Sequence, residues 1–217
     1  VIGNSGKLAF QAMLAGTSGG TTDDAGIYRG SDLALTTIVR KGEFAPDGNG
    51  TFDSFGAPLI NKAGQVAFQA TLTGTNGGTA DDEGIFLVHD TFGLLQMARK
   101  GAPLAGSTIS SITFATGSLG VSFASDESNG FNDTGRIAYT FVLTNTVQGV
   151  AIVTPPTPAA IDSAKCLLVT LGAANELLDV NEVGKRMNDL PLHPRLSRLL
   201  LAANENDCHW QASIAAA

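Results

Sequence analysis

The sequence predicts a mainly β protein made of propeller-like four-stranded repeat units, with a β-sandwich as the alternative, followed by an α-helical C-terminal segment. Three observations carry this. A block of residues returns along the chain, its hydrophobic period is two, and a proline cluster separates it from a leucine-rich tail of helical period. Residues 1 to 154 hold 24 of the 26 Gly and 13 of the 14 aromatic residues, whereas 155 to 217 hold eleven Leu.

The repeat opens with Ile2-Gly-Asn-Ser-Gly-Lys-Leu-Ala-Phe-Gln-Ala-Met-Leu14. It returns as Ile60-Asn-Lys-Ala-Gly-Gln-Val-Ala-Phe-Gln-Ala-Thr-Leu72 and, more loosely, as Phe131-Asn-Asp-Thr-Gly-Arg-Ile-Ala-Tyr-Thr-Phe-Val-Leu143. Leu8, Phe10, Ala12 and Leu14 share one face, as do Val66, Phe68, Ala70 and Leu72, then Ile137, Tyr139, Phe141 and Leu143. Such alternation describes half-buried strands, and the Asn-x-x-Gly before the second and third is turn chemistry. Further strands are expected at 27–29 and 85–88, at 35–40 and 94–99, and at 51–55 and 111–116. About two and a half units result, and propellers close with four to eight blades. The expected remedy is a homo-oligomer that completes the array, or a fragment of a longer one; the chain begins at Val1 without Met.

Thr154-Pro-Pro-Thr-Pro158 marks the boundary, so the domains read as 1–154, a stiff linker at 155–160 and a helical tail at 161–217. In the tail, Leu167, Leu171, Ala174 and Leu178 follow a possible cap at Ser163. Val180, Val183, Met187 and Leu190 form a second stripe. Pro194 suits the first turn of a third helix carrying Leu196, Leu199, Leu200 and Ala203.

A net charge of −7 disfavours nucleic acid and anionic membranes as partners. No apolar run is long enough for a membrane span, and Val1 to Asn4 lack a signal-peptide pattern. No Walker loop, dinucleotide fingerprint or His-Glu-x-x-His helix is present.

Four groups of residues carry candidate chemistry. Asp23-Asp24 and Asp81-Asp82 lie in twelve-residue connections rich in Gly and Thr, and their oxygens suit Ca²⁺ as a cofactor; the plainer reading is turns capped in solvent. Arg40-Lys41 and Arg99-Lys100 recur at strand ends, where they form a ligand-binding ring for anionic sugars or carboxylates, or solvated edges that discourage aggregation. Gly16-Thr-Ser18-Gly-Gly20 matches Gly-x-Ser-x-Gly, giving an alternative hydrolase with Ser18 as nucleophile and His193 or His209 as base, although the motif needs a strand-to-helix turn. Cys166 and Cys208 are the only cysteines, and a disulfide between them would contribute about 4 kcal/mol; two buried thiols, or Cys208-His209 as half a metal site, are the alternatives. His89 reads as an exposed loop histidine.

The segments Asn61-Lys-Ala-Gly-Gln-Val-Ala-Phe, Asp81-Asp-Glu-Gly-Ile-Phe and Met97-Ala-Arg-Lys-Gly resemble tandem-repeat proteins of the bacterial cell envelope, which often carry exosortase-type (PEP-CTERM) or other exchangeable anchors. The likeness covers residues 1 to about 154. It implies export and an extracellular or cell-surface location, and it carries no catalytic residues. The helical tail departs from the short sorting tail of that family. The expected function is therefore a self-associating surface, adhesion or polysaccharide-binding module; the alternatives are a secreted esterase-like hydrolase using Ser18, and a filament subunit.

Overall fold

The computed structural model describes residues 6–31, 34–114, 130–190, 192–206, 208, 210 and 214. The chain forms two compact parts, Val1–Pro155 and Pro156–Ala217. The described strands of the first are paired antiparallel and fall into three repeat units. Unit 1 holds β1 (Lys7–Met13), β2 (Ala25–Ser31) and β3 (Ala34–Arg40). Unit 2 holds β4 (Thr51–Phe55), β5 (Leu59–Ile60), β6 (Val66–Thr73), β7 (Glu83–His89) and β8 (Gly93–Arg99). Unit 3 holds β9 (Pro103–Leu104), β10 (Ser107–Phe114), β11 (Ile137–Leu143) and β12 (Gln148–Val153). Each unit is its own meander sheet: β1-β2-β3, β4-β6-β7-β8 with β5 beside β6, and β12-β11-β10-β9.

The internal symmetry extends to the irregularities. Ile27 and Ile85 pair with Val39 and Ala98, but the next residues pair one position further back, so Ile38 and Met97 are bulged at equivalent places. Asp53 and Ser110 are bulged in the same way against β6 and β11. An extra residue resets the alternation and raises the local twist. Phe52 and Phe55, three apart, therefore both face the core, where Phe52 packs at 4.9 Å centroid distance on Phe86.

The sheets stack face to face. One core joins Ala9, Ala25, Ile27 and Val39 of unit 1 to Val66, Phe68, Ala70, Leu72 and Phe86 of unit 2. A second joins Ala67, Ile85 and Leu87 from the opposite face of unit 2 to Ile112, Phe114, Ile137 and Tyr139 of unit 3. The half-buried expectation for the middle strand is thereby corrected: Val66, Ala67 and Phe68 in succession are fully buried, because a neighbouring sheet covers each face. Serial stacking of separate meanders is the propeller-like arrangement, and the two-sheet sandwich does not describe it. The Asn-x-x-Gly turns add polar stitching. Gly64 and Gly135 take φ of +85° and +80°, and buried Asn61 donates from Nδ2 to Gln65 Oε1 (2.8 Å) and to Asn132 O of the next unit (3.0 Å).

The C-terminal part holds α1 (Pro158–Thr170), α2 (Glu182–Asn188) and α3 (Pro194–Glu205). The expected linker at 155–160 is shorter than its prolines suggested, since Pro158 begins α1. Proline suits that position because its missing N–H has no partner in a helix's first turn. The cap is Thr157, whose side chain accepts from Ala160 N–H, and Ser163 lies inside the helix with its hydroxyl on Ala159 O. Ala174 and Leu178 fall beyond α1, in a loop where Leu178 takes φ +68°. Cys166 and Cys208 are free thiols beyond disulfide reach, which corrects the expected bridge: Cys166 is exposed on α1 and Cys208 follows α3, its N–H bonded to Ala203 O. No helix among the described residues is long and apolar enough to cross a membrane.

Candidate functional site

The two twelve-residue connections fold alike. Thr17 donates to the glycine carbonyl three residues on, Gly20 O, at 2.8 Å, and Thr75 Oγ1 stands at the same distance from Gly78 O. Those glycines, at φ +61° and +56°, start 3-10 turns at Gly20–Thr22 and Gly78–Ala80. The turns deliver Asp23 beside Arg40 and Asp81 beside Arg99, the last residues of β3 and β8, in register with Gly26 and Gly84. The third unit joins β11 to β12 by a tight turn through Thr146 at φ +69°, with no counterpart of this loop.

In unit 2 the loop leading into β4 completes the arrangement. Arg99, only 6% exposed, donates from Nε to Asp81 O (2.7 Å), from one terminal nitrogen to Asp47 (3.1 Å) and Gln96 (3.0 Å), and from the other to Asn49 O (2.8 Å). Asn49 in turn donates from Nδ2 to Asp81 (2.8 Å) and accepts Asn76 N–H at Oδ1 (2.8 Å). Asp81 also accepts Thr75 Oγ1–H at 2.5 Å and Gly77 N–H at 3.1 Å. The Thr75 hydroxyl is the main reason that the Asp81 carboxyl titrates below its ordinary range; Asn49, Gly77 and the Arg99 charge act in the same direction against the opposing effect of burial. A buried guanidinium with a full donor count costs little, whereas an unmatched one costs several kcal/mol.

Unit 1 repeats the twelve-residue connection and the arginine. Arg40 turns a terminal nitrogen onto Asp23 O and onto Asp23 Oδ2 at 3.1 Å. Its Nε, Asp23 Oδ1 and the Tyr28 hydroxyl are buried without a hydrogen-bond partner. Tyr28 stands where unit 2 has Phe86, and its ring stacks on Phe10 at 5.7 Å as Phe86 does on Phe68.

The two predicted site groups are thus one structure. Arg99 is a buried structural cation, Lys100 pairs with Asp82 at 2.8 Å, Arg40 with Asp23 at 3.1 Å and Lys41 with Asp53 at 3.5 Å, so the expected ring of available cations is not formed. The carboxylates expected to suit Ca²⁺ are engaged with protein groups instead. Asp81 accepts from Thr75, Gly77 and Asn49, Asp82 faces an ammonium, and Asp23 faces a guanidinium through Oδ2. Asp24 contributes its carbonyl to Leu14 N–H at 2.5 Å. Among the described residues no three His, Cys, Asp or Glu side chains converge on a common metal position.

Ser18 lies exposed in a turn between antiparallel strands, not at the strand-to-helix elbow above a parallel sheet. His193 is the cap of α3, its Nδ1 accepting Arg195 N–H at 3.3 Å. His209 lies outside the described residues. His89, expected in solvent, stacks on Phe92 at 4.6 Å and accepts Thr91 N–H. Sequence reading missed Asp47 and Asn49; the one available signal was the Asp-Gly-Asn-Gly run at 47–50, a turn with two acceptors ahead of a strand. A concavity of about 380 Å³ beside Ser54, Gln69 and Thr113, and one of about 160 Å³ beside Leu168, Met187 and Leu192, are lined among the described residues by no titratable side chain.

A family model matches residues 1–161, and the chain belongs to that family, which is described as a family of unknown function (DUF7453). No solved structure matches the chain.

Proposed function

We propose that this member of the family is a self-associating β-repeat module of an exported surface or adhesion protein, whose copies stack head to tail. One comparison of registers carries the reading. Ile27, Ile85 and Val150 occupy equivalent positions one residue after Gly26, Gly84 and Gly149. The first two are 0% exposed, while Val150 is 60% exposed. Ile152 is likewise 69% exposed where Leu87 is fully buried. At the other end, Leu8, Phe10, Ala12 and Leu14 of unit 1 are half-buried, whereas Val66, Phe68, Ala70 and Leu72 at the same places in unit 2 are buried.

Within the chain, the face bearing Ile27 always meets the face bearing Phe68 of the next unit. The outer face of unit 3 therefore fits the outer face of unit 1 in a second copy, a heterologous contact that yields a ring or a filament. Burying Val150 and Ile152 is worth roughly 1.5–3 kcal/mol each. An extracellular setting and a polysaccharide ligand are supported by the likeness to cell-envelope repeat proteins and by the Thr-, Asn- and Gly-rich loops; no catalytic constellation among the described residues argues for turnover.

The test uses two blocked variants, Val150→Lys with Ile152→Lys at one end and Ala12→Lys at the other. Each alone should sediment as a single chain, and a mixture should form a complex of one of each, because each retains one good face. Self-association of either variant alone, or no complex in the mixture, overturns the head-to-tail arrangement.

A further inference from the structure

We propose that Asn76-Gly77, in the connection between β6 and β7, is a site of spontaneous deamidation, the point at which the network around Arg99 ages. The chemistry needs no reactant but water. The Gly77 amide nitrogen, after giving its proton to solvent, attacks Asn76 Cγ; the Cγ–Nδ2 bond breaks, ammonia leaves with a proton taken from solvent, and a cyclic succinimide remains. Water then opens one of the two ring carbonyls. Opening at the main-chain carbonyl gives isoaspartate, with the chain routed through Cβ and Cγ, and opening at Cγ gives aspartate. Glycine is the most permissive residue to follow the asparagine, because no Cβ hinders the attack and its backbone turns freely.

The fold selects this pair. Asn-Gly occurs at 49–50, 76–77 and 129–130, and Asn129 lies outside the described residues. Asn49 and Asn76 belong to one network but are held differently. Asn49 is fixed at both ends of its amide, Nδ2 on Asp81 (2.8 Å) and Oδ1 under Asn76 N–H (2.8 Å), and the buried Gly50 after it is crowded by Thr75 and the Thr73 carbonyl. Asn76 joins the network through its main-chain N–H; among the described residues its side-chain amide makes no hydrogen bond, and Asn76 and Gly77 are both exposed. One restraint acts on the attacking nitrogen. Gly77 N–H rests on Asp81 Oδ1 at 3.1 Å, the longest of the three hydrogen bonds which that carboxylate accepts, and an exposed loop opens locally at little cost. Unit 1 carries Ser18-Gly19 at the same place in the same turn, where this reaction has no amide to start from. Isoaspartate inserts a methylene ahead of the Gly77 N–H and adds a carboxylate close to that of Asp81, so conversion loosens the contacts around Arg99. None of this rests on the head-to-tail reading.

The experiment incubates the full chain for weeks in mildly alkaline buffer, folded and in urea, and follows its tryptic peptides by mass spectrometry, with fragmentation to locate each change. Cleavage after Lys41, Lys62 and Arg99 places Asn49 and Asn76 on separate peptides, 42–62 and 63–99. In the folded chain, Asn76 should acquire the mass of an amide-to-carboxyl exchange, in two chromatographic forms, at least about tenfold faster than Asn49, which must first release two hydrogen bonds. In urea the two should convert at similar rates. Asn76→Ser, the residue that unit 1 carries in this turn, should keep the fold and leave the 63–99 peptide unchanged in mass over the incubation. The deamidated protein, separated by its added negative charge, should unfold at lower urea concentration than the starting protein. Equal rates at the two sites in the folded chain, no conversion of Asn76 there, or an unchanged urea midpoint in the converted protein would each overturn the proposal.

Discussion

Arg99 and Asp47 form an ion pair at 3.1 Å between the end of one unit's last strand and the loop that opens the same unit's first strand, 52 positions earlier in the chain. The pair closes unit 2 upon itself, whereas Arg40 is held by a partly exposed pair with Asp23 at 3.1 Å. Equivalent arginines should therefore differ in worth. Arg99→Met leaves Asp47 and the Asn49 carbonyl without their donor and should lower unfolding free energy by about 3 kcal/mol, within the range for breaking a buried pair. Arg40→Met, which removes a partly exposed pair, should cost under about 1 kcal/mol. Urea midpoints of the two variants check this ordering.

The low-titrating Asp81 sets an acid limit. Its folded pKa is depressed, chiefly by the Thr75 hydroxyl. The stability it adds is complete above the unfolded carboxyl value of about 3.9 and is lost as pH falls through the lower folded value. Asp81→Asn should be less stable than wild type at neutral pH, and the gap should close as pH drops below about 4. Urea melts of both proteins across that range measure it; a gap that widens toward acid contradicts the assignment.

Gly50 and Gly48 separate strain from clash. Both have positive φ, +94° and +73°, but a Cβ on Gly50 would lie 2.6 Å from Thr75 Cγ2 and 2.9 Å from Thr73 O, whereas one on Gly48 meets open space. Gly48→Ala should cost about 1 kcal/mol of conformational strain. Gly50→Ala should cost clearly more, because the loop must withdraw from the Asp81 network. Thermal denaturation of the pair, with Arg99 Nε–H as an NMR reporter, distinguishes them.

The cysteines should behave as independent thiols. Native protein should titrate two equivalents with a thiol reagent, Cys166 faster than the partly shielded Cys208. Reductant should leave the thermal midpoint unchanged, and a shift of several degrees would restore the disulfide.

Much of the fold was legible because the repeat is written in residue types. Phe10 and Phe68 mark matching strands, and the Asn-x-x-Gly turns at 61–64 and 132–135 mark where β6 and β11 begin. What period-two reading misses is the bulge: Phe52 and Phe55 read as opposite-facing until Asp53 is removed from the alternation. The site was less legible. Arg99 reads as a solvated strand end because its acceptors at Asp47 and Asn49 come from a segment about 50 positions away, a distance no local pattern spans. Pairing by tertiary contact likewise turned Asp82 and Lys100, expected as two different sites, into one ion pair. The start of α1 at Thr157 was hidden because the cap lies ten positions ahead of the stripe that begins at Leu167, whereas Pro194 marked the first turn of α3.

Sedimentation equilibrium of the unmodified chain over a wide concentration range tests the stacking of one chain's last sheet on another's first most directly. The account predicts that the average mass rises above 22.2 kDa toward whole multiples of it, and that Val150→Lys with Ile152→Lys abolishes the rise. A mass that stays at one chain at every concentration, or a rise that the double substitution leaves intact, would contradict it.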